Sequence, residues 1–127
     1  MPKFVPASVA ELSRIGLLAE LTGKAVSDLA GRMLREEIQA GTGVVREGDQ
    51  GDRFYVVLSG LFAVSNQGAL GPRRMLRPGD YFGEVALAMD IPRTASVTAL
   101  TRATVASCDR ETFDQLVRPL FADDREP

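Results

Sequence analysis

Residues 77–99, RPGDYFGEVALAMDIPRTASVTA, decide how the rest of the chain is read. They hold a Pro78-Gly79 turn, a Phe82-Gly83-Glu84 step, a short apolar run, and Pro92-Arg93-Thr94-Ala95-Ser96-Val97 opening a strand. Gly83 permits a positive φ or a close approach that a side chain would forbid. A short helix over residues 85–89 leaves its first N–H groups without intrahelical partners, which suits an anion. Arg93 is always charged and makes a forked contact with phosphate. Glu84 repels phosphate, and its presence makes sense if the ligand also carries a hydroxyl in need of an acceptor. A small molecule with both a phosphate and a sugar hydroxyl fits the set.

Outward from this stretch the chain divides into three. Residues 1–33 read as helical: Val9, Leu12 and Ile15 are spaced as one helix face with Ser8 as N-cap, and Thr22 caps a second helix carrying Val26, Leu29, Ala30 and Met33. Residues 34–108 read as short strands punctuated by glycine. Among them 54–58 are almost continuously apolar, which suits a strand covered on both faces. Residues 48–52 and 66–72 have turn and hairpin chemistry. Residues 103–108 are small or β-branched, fit for the inner wall of a small barrel. From 109 to 127 Asp109 caps a helix with Phe113, Leu116 and Val117 on one face, and Pro119 interrupts it. The expected fold is therefore mainly β: an antiparallel β-roll, or jelly roll, flanked by N- and C-terminal α-helices, in a single domain over 1–127.

Composition narrows the function. A chain of 127 residues, 45% apolar and 25% charged, builds one ordinary globular core. A net charge of −2 without a basic run gives no footprint for nucleic acid or anionic membrane. Arg73, Arg74 and Arg77 read as a solvated hairpin. No apolar run approaches the ~20 residues of a membrane span and no leader opens the chain, so a cytoplasmic location is expected. The single cysteine, Cys108, forms no internal disulfide and reads as buried. Histidine is absent, which argues against a metal-dependent jelly-roll enzyme of the cupin kind and against a nucleophile–histidine pair. Asp49 and Asp52 lack the spacing of a calcium loop. No enzyme activity is expected.

The blocks Phe82-Gly83-Glu84-Val85-Ala86-Leu87 and Pro92-Arg93-Thr94-Ala95-Ser96-Val97 resemble the phosphate-binding cassette of the cyclic nucleotide-binding domain family, the cAMP- and cGMP-binding, CAP-like regulatory domains. The segments 46–52, REGDQGD, and 54–60, FYVVLSG, match that family too, and the resemblance runs from about Leu17 to Leu116. It implies a cassette over 82–97 and a ligand, cAMP or cGMP, with no other cofactor. Arg93 would pair with the cyclic phosphate, aided by the amides of Ala86 and Ala95, and Glu84 would accept from the ribose hydroxyl. Gly83 would allow close approach, with Leu76 and Val64 under the base and Val85 nearby. Thr94 can donate to a syn guanine in some members, and Arg74 can stack over the base. In an empty site Glu84 can partner Arg93, and Arg93, awaiting a ligand, should contribute little to stability. The resemblance further implies terminal helices that move on binding, and an effector domain or partner protein that reads the movement. Pro119 interrupts the helix, and the tail 120–127 after it is too short and too acidic to promise the family's long lid helix. The competing expectation is a β-roll interaction domain that kept the fold and lost the ligand.

Overall fold

The computed structural model describes residues 6–66 and 74–122. The hairpin expected at 66–72 therefore falls almost wholly outside the described residues, as do Arg73 and the tail 123–127. A single-turn helix α1 (Val9–Leu12) opens the fold. Ser8 caps it reciprocally: its hydroxyl accepts from the Glu11 amide at 3.0 Å and its own amide donates to the Glu11 carboxylate at 3.1 Å. A 3₁₀ turn (Gly16–Glu20) leads to α2 (Gly23–Arg32), whose first turn is capped by the Thr22 hydroxyl. Leu12, Ile15, Leu29 and Met33 are fully covered, while Val9, at the first position of its one-turn helix, stays 42% exposed.

Among the described residues eight strands follow: β1 (Leu34–Ile38), β2 (Gly43–Val45), β3 (Arg53–Ser59), β4 (Phe62–Ser65), β5 (Arg74–Leu76), β6 (Tyr81–Phe82), β7 (Ser96–Ala99) and β8 (Ala103–Asp109). They form two four-stranded sheets, β1-β8-β3-β6 and β2-β7-β4-β5, with every pairing antiparallel. The expected β-roll is what forms. Helix α3 (Glu84–Met89) interrupts it between β6 and β7. After β8 come a turn of helix α4 (Arg110–Thr112), a π-helical turn (Phe113–Val117) and a final turn α5 (Pro119–Ala122). Asp109 caps α4 through the Thr112 amide. Pro119 ends one helical segment and starts another, since a missing N–H is harmless at a first helical position.

The near-continuous apolar run of β3 is explained by its two neighbours. Phe54 and Val56 face the helices, packing with Leu12, Met33, Phe113 and Val117, while Val57 faces the roll interior with Ile38, Phe62, Leu76 and Val105. β8 alternates likewise, Ala106 and Cys108 toward the helices and Ala103 and Val105 inward. Cys108 is fully buried, and burial pushes its thiol pKa up to about 12. Leu120 and Phe121 join the helix-side core, Phe121 meeting Tyr81 edge-on at 5.6 Å and Phe113 at 6.3 Å. Among the described residues no helix is long and apolar enough to cross a membrane.

Phe54 is the hinge point of this packing, its ring centroid 5.4 Å from that of Phe113 and 5.9 Å from that of Tyr81. Phe54→Ala should lower the unfolding free energy by about 3–5 kcal/mol, the range for deleting a buried aromatic ring. Denaturant melts of the two proteins measure it, and a loss below ~1 kcal/mol would show that the helices contribute little.

Candidate functional site

Gly83 ends β6 with φ +96° and serves as the N-cap of α3, which puts Glu84 in the first turn with no side chain capping it. Eight residues on, Pro92 leads into Arg93, whose amide donates to the Asp49 carbonyl at 2.8 Å and whose carbonyl accepts from the Gly48 amide at 2.9 Å. The loop read from sequence as simple turn chemistry is thus the backbone mount for the arginine.

Between these elements lies an open cleft of about 140 Å³ lined by Gly83, Glu84, Val85, Ala86, Arg93, Thr94, Ala95 and Val64. Closed small-molecule sites run to ~300–1,000 Å³, so this cleft can hold only part of such a ligand and leaves the rest at its mouth. The structure therefore brings together eight of the nine residues singled out from sequence. Leu76 is the exception. It is fully buried opposite Phe62 in the register of β4 and β5, and it lines no part of the cleft. Arg74, on the same strand face but opposite Val64, lines the cleft in its place. Alternation gave the right face and the wrong depth. Val45, Phe82 and Val97 also line the cleft and were not singled out as contacts; Val97 was legible as the next inward position after Ala95.

Arg93 departs from expectation in a second way. It is only 7% exposed. Its guanidinium donates to the Arg53 carbonyl at 2.9 Å and to the Gly83 carbonyl at 3.3 Å, and no ion pair with Glu84 forms among the described residues. Two glycines make room for it. A Cβ on Gly51 would lie 2.7 Å from the Ala86 Cβ and 3.0 Å from the guanidinium carbon, and one on Gly83 would lie 2.8 Å from the Arg53 carbonyl and 2.9 Å from Arg93 Nη1. The Tyr55 ring, stacked on Phe82 at 4.8 Å, sits 6.0 Å from the guanidinium. Arg93 also walls a second, polar cleft of about 420 Å³ that includes Asp49, Asp52, Tyr55 and Ser96.

Burial raises the Glu84 pKa above the usual 4.5, with Arg74 and Arg93 pulling it back down. Burial lowers the pKa of Arg93, opposed by the nearby Tyr55, Asp52 and Glu84. A half-buried acceptor and a buried cation thus line the same cleft, a pair of groups chemically suited to a hydroxyl and an anion. Among the described residues no group of three or more His, Cys, Asp or Glu side chains could hold a metal ion.

Fold and cleft together define an antiparallel β-roll with a short helix and a small cleft beside it, between β6 and β7. Residues 35–119 match the family model described as the cyclic nucleotide-binding domain, and the chain belongs to that family. It is 39% identical over 110 residues to a cAMP-dependent protein kinase regulatory subunit of Yarrowia lipolytica, covering 87% of this chain and 29% of that protein. To the subunit of the same description from Candida albicans it is 40% identical over 109 residues, covering 86% and 24%. A solved structure described as the regulatory domain of Toxoplasma gondii PKA with cAMP superimposes with a TM-score of 0.83 at 28% identity, covering 88% of this chain and 44% of that one. The chain spans less than a third of the length of these two curated relatives.

Because the Arg93 guanidinium satisfies two backbone carbonyls, Arg93→Ala should destabilise the ligand-free domain by about 1–3 kcal/mol, the cost of leaving buried acceptors unpaired. Denaturant unfolding without ligand measures this. An unchanged midpoint would restore the sequence-based expectation that the arginine only awaits its ligand.

Proposed function

We propose that the domain is a regulatory sensor for a purine cyclic nucleotide and not an enzyme. Arg93 and the amides of Ala86 and Ala95 take the cyclic phosphate, Glu84 accepts from the ribose 2′-hydroxyl, and the base lies toward Val64, Val97 and Arg74. The observation that carries this reading is that Glu84 and Arg93 line one cleft, together with Gly83, Ala86 and Ala95. Membership of the family and the cAMP-related descriptions of its relatives support the ligand class. The output passes to a partner or to further domains of a longer protein, by analogy with relatives described as regulatory subunits of a kinase. A cytoplasmic setting fits that role.

Calorimetric titration of the domain with cAMP and cGMP tests the proposal. Saturable binding is expected, and folded protein that gives no heat at near-millimolar nucleotide would overturn it in favour of a ligand-free interaction domain. Affinity should also depend on pH through Glu84. Its pKa is raised in the free domain, and a donated hydroxyl stabilises the ionised form, so binding holds above that pKa and weakens as pH falls through it. Glu84→Gln should abolish this pH dependence and cost roughly ten- to hundredfold in affinity at neutral pH.

One feature of the wall favours guanine. Arg74 forms no hydrogen bond or ion pair among the described residues, faces the cleft, and carries donors only. Guanine presents two adjacent acceptors, O6 and N7, whereas adenine sets a donor beside its N7. Arg74→Ala should therefore weaken cGMP relative to cAMP, by about 5- to 100-fold if the fork is formed. An unaltered cGMP/cAMP ratio in competitive titration removes Arg74 from base recognition, and the same measurement on Thr94→Ala decides the part of Thr94.

A further inference from the structure

Helix α3 carries the cassette, yet its last carbonyls find their partners far along the chain. It has six residues and ends at Asp90 in the left-handed conformation, φ 54°. The amides of Asp90 and Ile91 both go to the Ala86 carbonyl, which leaves those of Leu87 and Ala88 for other donors. Two arginines from the segment after β8 supply them. Arg118 donates to the Ala88 carbonyl at 3.1 Å and to the Leu87 carbonyl at 3.2 Å. Arg110 donates to the same Leu87 carbonyl at 3.3 Å, to the Gly51 carbonyl at 3.3 Å, and reaches the Asp90 carboxylate at 3.5 Å. Positive charge at a helix C-terminus is favourable by its dipole alone, and the charge-assisted bonds add direction.

Both arginines are themselves oriented. Asp114 holds Arg118 at 2.8 Å, one turn back, and the guanidinium lies 5.6 Å from the Phe113 ring centroid. Arg110 reaches Gly51, whose open α-carbon face abuts the Arg93 guanidinium and Ala86. One side chain therefore touches the end of the cassette helix, the loop that seats the phosphate-binding arginine, and the start of the C-terminal segment.

We infer that Arg110 and Arg118 form a clamp that makes the C-terminal segment, 110–122, follow the cassette helix when a ligand draws on Glu84 and Arg93. The inference rests on the nucleotide-binding reading above. Neither arginine lines the cleft, so the clamp transmits binding without taking part in it.

The test is amide hydrogen exchange of the full chain, with and without saturating cAMP or cGMP, whichever titrates tighter. Peptides covering 84–91 and 110–122 are followed in wild type, Arg118→Ala, Arg118→Lys and the Arg110→Ala/Arg118→Ala double variant. In wild type the nucleotide should slow exchange in both peptides. The double variant should still bind, within about tenfold of wild-type affinity. It should keep the change in 84–91 and lose that in 110–122. Lysine at 118, one point charge where arginine reaches two carbonyls, should restore the C-terminal response in part. Should the double variant not fold, Arg118→Ala carries the test, because that side chain is 40% exposed. Joint response of both peptides in the variants overturns the clamp, as does loss of the 84–91 response together with binding. A wild type that responds at 84–91 alone overturns the clamp and leaves the proposed function standing; a wild type that binds neither nucleotide overturns both.

Discussion

The structure depends on placing one permanently charged group, the guanidinium of Arg93, inside a small β-roll. A cation taken out of water must find acceptors or cost several kcal/mol, and here they are the backbone carbonyls of Arg53 and Gly83. Those carbonyls come together because β3 and β6 pair with Tyr55 opposite Phe82, which brings the peptide joining Arg53 to Phe54 alongside Gly83. Arg53 is in turn pinned to β8, its guanidinium donating to the Ser107 hydroxyl at 2.9 Å and the Ser107 carbonyl at 3.1 Å. Sheet register, glycine placement and the buried charge are thus one problem with one solution.

Backbone acceptors satisfy the arginine without cancelling its charge. A carboxylate ion pair would have done both, leaving less field for an incoming anion. Glu84 is meanwhile half-buried, without an ion pair among the described residues, and pushed toward neutrality by burial. The two groups form no ion pair with each other among the described residues, as the proposed binding of different parts of one ligand would require.

What the sequence made legible was local chemistry and alternation. Ser8, Thr22 and Asp109 cap helices because a hydroxyl or carboxylate reaches an amide three residues on, a relation contained in a few consecutive residues. The β-roll itself followed from short glycine-punctuated strands, and membership of the family from two motifs in order. Depth along a strand was not legible: Leu76 and Arg74 share a face, and only the pairing with Phe62 and Val64 shows which is sealed and which is open. Nor was the seat of Arg93, because the Arg53 carbonyl lies 40 residues away in sequence and any residue type would supply it. The roles of Arg110 and Arg118 were hidden for the same reason, their acceptors being main-chain oxygens 23 to 59 residues distant.

The burial of Cys108 has a practical corollary. It is the chain's single sulfhydryl, and it lies on the central strand β8, between the sheet and the terminal helices. With its thiol pKa at about 12, almost no thiolate exists at neutral pH, and an alkylating dye reaches the sulfur only when the middle of the sheet separates from its cover. The rate of dye incorporation then becomes a built-in clock for whole-domain opening, blind to fraying at the ends and to motions of the cassette.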